Sequence, residues 1–361
     1  MKFAAVLFVF AVSAQAAFVP TNGMPEAFVA PATTLADGRV LFTQPQYVLA
    51  TKAAIYNPQT QSFTYVADPL HGNQVGQSAT RLRDGKVLIA GGGFQPLGSR
   101  YKIGGVVATI FNPATDTFND GGILRVERSD HAAVLLADGR VFICGGQVVE
   151  GGGGGFTETP TATAEIYDPA TSTSRLTTPM RVARGTPSAV LLVDGRVLIV
   201  GGAPSASDPT AEIFDPLSET YTIAPPMIVP RRSTLATHLP NGDVLITGGL
   251  GYDSSEAIAS AELYVHLTGR FEPNGEMTTP RVRHNAVLLP NGRVFIGGGA
   301  GTAEVFDPKT HAFNDLGLTL FLHNSGAIAL LPDKSVLIAG GTQFTERFIP
   351  PVPIQRIIRR R

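Results

Sequence analysis

Arginine and glutamate recur at fixed places in this chain, and their spacing is what could do chemistry. Arg128, Arg184, Arg231 and Arg281 each stand ten residues before the first residue of an Asp-Gly or Asn-Gly pair. His323 holds the same position in a later copy, and Ala27 and Gln74 hold it in the two earliest. Guanidinium groups repeated in this way could gather round one opening and grip a carboxylate or sulfate through bidentate hydrogen bonds. They could equally be engaged inside the scaffold. Glu165, Glu212, Glu262, Glu304 and Glu346 recur at a second fixed position, which the first two copies fill with Ala54 and Thr109. Arg and Glu thus come and go together, except in the last copy, where Glu346 accompanies His323. That co-occurrence reads as a structural ion pair linking Arg128, Arg184, Arg231 and Arg281 to Glu165, Glu212, Glu262 and Glu304. Arg125, Arg181, Arg232 and Arg283 have no matching acid. With His131, His284, Tyr101 and Tyr252 they are the candidate ligand-binding residues. No nucleophile, base and acid stand in a catalytic arrangement, and no histidines stand at metal-ligand spacing. The expectation is therefore no catalytic residue, no metal and no cofactor.

The elements that must position these residues are repeats. Asp/Asn-Gly, one residue, Val, two apolar residues, one further residue and then Gly-Gly recur at 84–92, 138–146, 194–202, 241–249 and 291–299. The copy at 333–341 has Lys334 for the first glycine, and the copy beginning at Asp37 has Gln44-Pro45 where Gly-Gly belongs. Start-to-start spacings are 47, 54, 56, 47, 50 and 42 residues. Asp-Gly or Asn-Gly between two apolar runs marks a tight hairpin, because such turns need positive φ at their centre. The flanking runs are apolar almost throughout, which predicts strands covered on both faces. A third strand carries the repeated Glu and ends in Asp-Pro at 168–169, 215–216 and 307–308. A fourth begins with Phe63, Phe118, Tyr221, Phe271 or Phe313.

These repeats resemble kelch repeats of the kind found in exported bacterial proteins, and the resemblance spans the chain from residue 17 to residue 350. It implies an all-β fold, a seven-bladed β-propeller of four-stranded blades. Kelch repeats usually carry Trp in the fourth strand; here Phe or Tyr stands there, and the third repeat has Ser172-Thr173-Ser174 instead. The last repeat lacks a fourth strand of its own. Phe18, Pro20 and Met24 match Phe271, Pro273 and Met277, so residues 17–24 are expected to complete blade seven. Propellers of this kind usually work through loops at the channel mouth. The loops after Gly-Gly are long at 93–105, 147–161 and 250–257, and the glycine run 151–155 reads as a flexible linker. The leading expectation is a non-catalytic module that binds an extracellular or periplasmic protein or glycan. The resemblance also admits a carbohydrate-active alternative, either like sialic-acid mutarotases or like galactose oxidase. The latter enzymes hold copper with histidines and tyrosines, one tyrosine crosslinked to cysteine. Tyr47, Tyr101, Tyr252, His71, His131, His284 and His323 would be the nearest donors here, but Cys144 sits inside a strand pattern.

Composition excludes several other classes. Among 361 residues there are 40 glycines and 27 prolines, 43% are hydrophobic, and 28 basic groups balance 29 acidic ones to a net charge of −1. A disordered acidic chain and a basic nucleic-acid binder do not fit. One cysteine, Cys144, excludes an internal disulfide. Residues 1–16 read as a cleavable export signal: Lys2, an apolar run from Phe3 to Val12, then Ala14-Gln15-Ala16. A secreted or periplasmic monomer without a membrane span is expected. The Pro/Arg-rich tail 351–361 reads as solvated.

Overall fold

The computed structural model describes residues 17–24, 32–43, 53–66, 75–94, 103–152, 155–205, 211–252 and 256–351. Tyr101, the expected export signal at 1–16 and tail residues 352–361 lie outside them. The described residues form β-strands, turns and loops, with no helix. Seven four-stranded antiparallel sheets follow one another along the chain. They make a seven-bladed β-propeller. Blades one to six cover 32–66, 78–123, 132–176, 188–223, 235–276 and 285–323 in chain order. Blade seven takes three strands from 327–349 and its outermost from Ala17–Pro20, which pairs antiparallel with Glu346–Ile349.

Blade three shows why these residues form these strands. Ala132–Leu135 pairs with Val141–Cys144 across the Asp138-Gly139 turn. Gly139 sits at φ +97°, where a side chain would be strained. Val141–Cys144 is fully buried, because neighbouring blades cover both its faces. The same holds for Val197–Val200 and Val336–Ala339, and for Val244–Thr247 with one buried hydroxyl at its end, so a nearly unbroken apolar run is what this position requires. The turn that opens blade seven has Lys334 at φ +70°, the one place where this repeated turn forces a lysine into left-handed backbone.

The core is divided into seven apolar clusters, one in each seam between neighbouring blades. In the seam between blades three and four, Phe142 stacks on Phe214 at 4.3 Å. Met24 enters the seam between blades seven and one, as Met277 enters that between five and six. Third- and fourth-strand aromatics sit directly opposite one another. Tyr56 and Phe63, Phe111 and Phe118, Phe214 and Tyr221, and Phe306 and Phe313 have centroids 4.9 to 5.0 Å apart. In blade three Ser174 faces Tyr167, and its hydroxyl donates instead to Glu165 at 2.6 Å.

The Asp/Asn-Gly turns lie at one end of the blades and the Gly-Gly pairs at the other. The long loops rise from the Gly-Gly end. Gly93–Phe94 pairs with Ile103–Gly104, and Gln147–Gly152 pairs with Gly155–Pro160. Gly151, Gly152 and Gly155, expected in a flexible linker, are therefore part of a two-stranded ladder. Blade six has no such excursion: Ala300 begins its third strand directly after the glycine pair.

Candidate functional site

At the Gly-Gly end the chain crosses from the outer strand of one blade to the inner strand of the next. The segments leading into blades three to six each carry a ring arginine, and the one leading into blade seven carries His323. Arg128, Arg184, Arg231 and Arg281 are buried to within 1% of completely. Nη2 of Arg128 lies 3.0 Å from Glu165 Oε1, and Arg184 and Arg231 meet Glu212 and Glu262 at 3.0 and 2.8 Å. Arg281 Nε meets Glu304 at 3.1 Å, and His323 Nε2 lies 3.0 Å from Glu346. Burial pulls all four guanidinium pKa values down, and the partner glutamates pull them back up. A guanidinium has so high an intrinsic pKa that it stays charged through this.

The pairs also bind the backbone. Nη1 of Arg128, Arg184, Arg231 and Arg281 donates to the carbonyl of Gly145, Gly201, Gly248 and Gly298 at 2.7 to 3.1 Å. His323 Nδ1 lies 3.1 Å from Gly340 O, the matching atom of blade seven. Nη2 of Arg128, Arg231 and Arg281 reaches the hydroxyls of Thr163, Ser260 and Thr302. Each glutamate in turn accepts a main-chain N–H of the crossing segment: Arg125 for Glu165, Arg181 for Glu212, Ile228 for Glu262, Thr278 for Glu304 and Leu320 for Glu346, at 2.6 to 2.9 Å. A second bond ties the blades round the circle. The N–H of Gly92, Gly146, Gly202, Gly249 and Gly299 donates to the carbonyl of Arg128, Arg184, Arg231, Arg281 and His323 in the following blade, at 2.7 to 3.2 Å. Gly146 must be glycine here, since a Cβ would lie 2.5 Å from the Ser129 carbonyl and φ is +96°. The ring arginines are thus surrounded by scaffold and present no free donor face to the mouth.

The other sequence candidates divide. Arg125, Arg181, Arg232 and Arg283 are all exposed on crossing segments. Arg125 Nε donates to the Ser174 carbonyl at 2.7 Å. The guanidinium groups of Arg181, Arg232 and Arg283 make no hydrogen bond or ion pair among the described residues. His131 and His284 are 9% and 5% exposed, with Nε2 of each 2.8 Å from a hydroxyl, Ser78 and Thr247 respectively. Burial, reinforced by nearby arginines, pushes both imidazoles down to about 3 and leaves them neutral. They belong to the wall of the mouth rather than to its surface. Tyr252 is half-buried in the blade-five loop. Thr163, Ser260 and Thr302 were not among the sequence candidates. The tripeptides Thr163-Ala164-Glu165, Ser260-Ala261-Glu262 and Thr302-Ala303-Glu304 carried the signal, in repeats that also have the arginine.

A cleft of about 770 Å³ opens at the opposite end, among the hairpin turns of blades five and six. Pro240, Asn241, Leu288, Pro290, Arg293 and Lys309 line it, and Arg293 is held by Asp307 at 2.9 Å. It lies away from the loop-bearing face.

No protein-family model matches the chain, and no curated protein matches it. Among solved structures it is similar to a novel fungal alcohol oxidase with catalytic diversity among the AA5 family, determined in complex with copper. The TM-score is 0.76 over 93% of this chain and 76% of that one, at 16% identity. At that identity the likeness shows the fold alone. Among the described residues no three His, Cys, Asp or Glu side chains converge where a metal ion could sit. His131 and His284 sit in different blades with Nε2 against a hydroxyl, and the Cys144 thiol is buried inside a strand. The described residues do not fit a copper centre. Tyr47, Tyr101 and His71 lie outside them. No helix among the described residues is long and apolar enough to cross a membrane.

Proposed function

We propose that this protein is an exported kelch-repeat propeller acting as a non-catalytic binding module for a protein or glycan, taken at the rim of the Gly-Gly end. The observation that carries this reading is the division of the arginines. Those of the buried ring are engaged with glutamates, hydroxyls and glycine carbonyls, whereas Arg181, Arg232 and Arg283 stand exposed and their guanidinium groups make no hydrogen bond or ion pair among the described residues. The excursions of blades two and three add contact surface to one side of the same end, and loops raised on a rigid scaffold are where binding residues usually lie. The site is an extracellular or periplasmic one under the same proposal, since the export signal is part of it.

The test is a capture screen of the full exported chain against arrayed glycans and extracellular proteins, run beside a variant in which residues 148–160 are replaced by a short turn. Saturable capture by the parent, weakened in the loop variant at unchanged thermal stability, is the expected result. Sugar anomer exchange detected by proton NMR would replace this reading with a mutarotase-like one. Stoichiometric copper in natively purified protein, with oxidase activity, would replace it with an oxidase.

A further inference from the structure

Arg283 occupies a backbone conformation that its side chain does not favour. It sits at φ +55°, two residues after ring residue Arg281. The matching positions in blades two, three and five are Gly76, Asp130 and Ser233, all at positive φ. Thr186 and Ser325, at the same position in blades four and seven, are not at positive φ, so the geometry belongs to particular crossings. The Gly76 carbonyl accepts the Asp130 N–H of the next blade at 2.7 Å, and the Arg283 carbonyl accepts the Gly326 N–H of blade seven at 3.3 Å. Glycine adopts that geometry without strain, and short polar residues tolerate it better than a long side chain does. An arginine here brings a strain that no guanidinium hydrogen bond or ion pair among the described residues offsets. Gln61, Glu219 and Lys334 hold such backbone in turns between strands, whereas Arg283 holds it on a crossing segment at the loop-bearing end, and such conformations cluster at functional sites.

Arg283 is not isolated. Arg181 and Arg232 are exposed on the two preceding crossing segments, their guanidinium groups without a hydrogen bond or ion pair among the described residues, and residues 177–187, 224–234 and 277–287 contain no Asp or Glu. Arg181, Arg232 and Arg283 stand three residues before Arg184, one after Arg231 and two after Arg281, on three successive crossing segments. Large exposed apolar side chains, which anchor protein partners, are confined on these segments to Ile228. We infer that Arg181, Arg232 and Arg283 form an anion-binding arc over blades four to six that takes an acidic polysaccharide, a chain that offers carboxylate or sulfate groups on successive sugar units. This deepens the rim-binding reading and rests on it.

The probes are heparin and polygalacturonate, with a neutral polysaccharide as control. The parent chain should bind one or both acidic probes in a salt-dependent manner, and not the neutral one. Arg181→Ala and Arg232→Ala should each weaken binding about fivefold, and the triple variant with Arg283→Gly more than thirtyfold. Arg283→Gly alone should weaken binding about fivefold while raising the thermal midpoint by about 1–2 °C, because it relieves the left-handed strain. Arg283→Lys should retain binding within about threefold. A structural role for Arg283 predicts the opposite sign, a lowered midpoint, and that result would overturn the inference. So would unchanged binding in the triple variant. Capture of only a neutral glycan or an acidic protein overturns the inference and leaves the rim-binding reading standing. Silence towards every glycan and protein overturns both.

Discussion

Gly146 donates its N–H to the carbonyl of Arg184 at 2.8 Å, across the seam between blades three and four. Arg184 passes the connection on, donating from Nη1 to the Gly201 carbonyl within blade four at 2.9 Å. Gly202 then reaches Arg231, and the alternation continues to His323. The ring arginine is a coupling between neighbours, and Glu212 fixes it by accepting both its guanidinium and the N–H of Arg181.

Removing that guanidinium leaves the Gly146 bond to the Arg184 carbonyl but takes away the side-chain bonds that tie the crossing segment to Gly201 and Glu212 of blade four. Arg184→Leu leaves Glu212 buried without its counter-charge and is expected to cost about 3–5 kcal/mol, the usual penalty for breaking a buried pair. Arg184→Leu with Glu212→Leu should cost less than the sum of the single changes, since no lone charge remains buried. Guanidinium chloride unfolding of the four proteins checks both statements. A single variant as stable as the parent would show that the pair has no structural role.

Blade seven draws on both ends of the sequence. Phe18 meets Phe348 at 5.5 Å, Thr21 N–H donates to Thr345 O at 2.9 Å, and Met24 N–H donates to Gln343 O at 2.7 Å. Deleting residues 17–24 strips these contacts and opens the Met24 seam. The deletion should lower the thermal midpoint of the whole ring cooperatively, and Met24→Ala alone should cost about 2–5 kcal/mol. A calorimetric trace indistinguishable from the parent would contradict this.

The two buried histidines give stability a dependence on mild acid. Imidazole in the unfolded chain titrates near pH 6.5, whereas His131 and His284 are held at about 3 in the fold. Between those values the unfolded chain binds protons that the folded one refuses, so stability falls as pH falls. The slope is about 1.4 kcal/mol per pH unit for each histidine. It should be visible from pH 6.5 to about 4.5, above the range in which the carboxylates dominate. His131→Asn with His284→Asn should flatten that stretch of the urea-midpoint profile. If the double variant keeps the parent's slope, the protons enter elsewhere.

Cys144 is fully buried, and burial pushes its thiol up to about 12. Thiolate-directed reagents should leave it untouched in the native protein at pH 8 and modify one thiol per chain in denaturant. Fast labelling without denaturant would show that the seam between blades three and four opens.

Several of these relationships could be read before any coordinates. Asp138-Gly139 and Gly145-Gly146 bracket Val141–Cys144, and turn chemistry with an unbroken apolar run specifies a two-sided buried strand. Arg184 and Glu212 are visible as companions because both are absent from blades one and two. Spacing does not tell which way a side chain turns where backbones crowd. His131 and His284 stand beside ring residues in sequence as Arg232 and Arg283 do, yet the short imidazoles fold into the wall and the long guanidinium groups clear it. The strain at Arg283 is equally hidden, since only the carbonyl direction demanded by Gly326 reveals that φ must be positive there.

Thr21 and Thr345, whose hydroxyls touch, are 324 positions apart. A ribosome or a translocation pore releases the chain from its N-terminal end, so Ala17–Pro20 emerges first and must wait for Glu346–Ile349, almost the last strand to appear. Until then Val40, Phe42, Ala54 and Tyr56 of blade one face an empty seam, and every prematurely terminated product keeps it that way. Completion of the circle thus doubles as a length check: fragments lacking blade seven retain the exposed apolar seam that quality-control proteases and chaperones recognise.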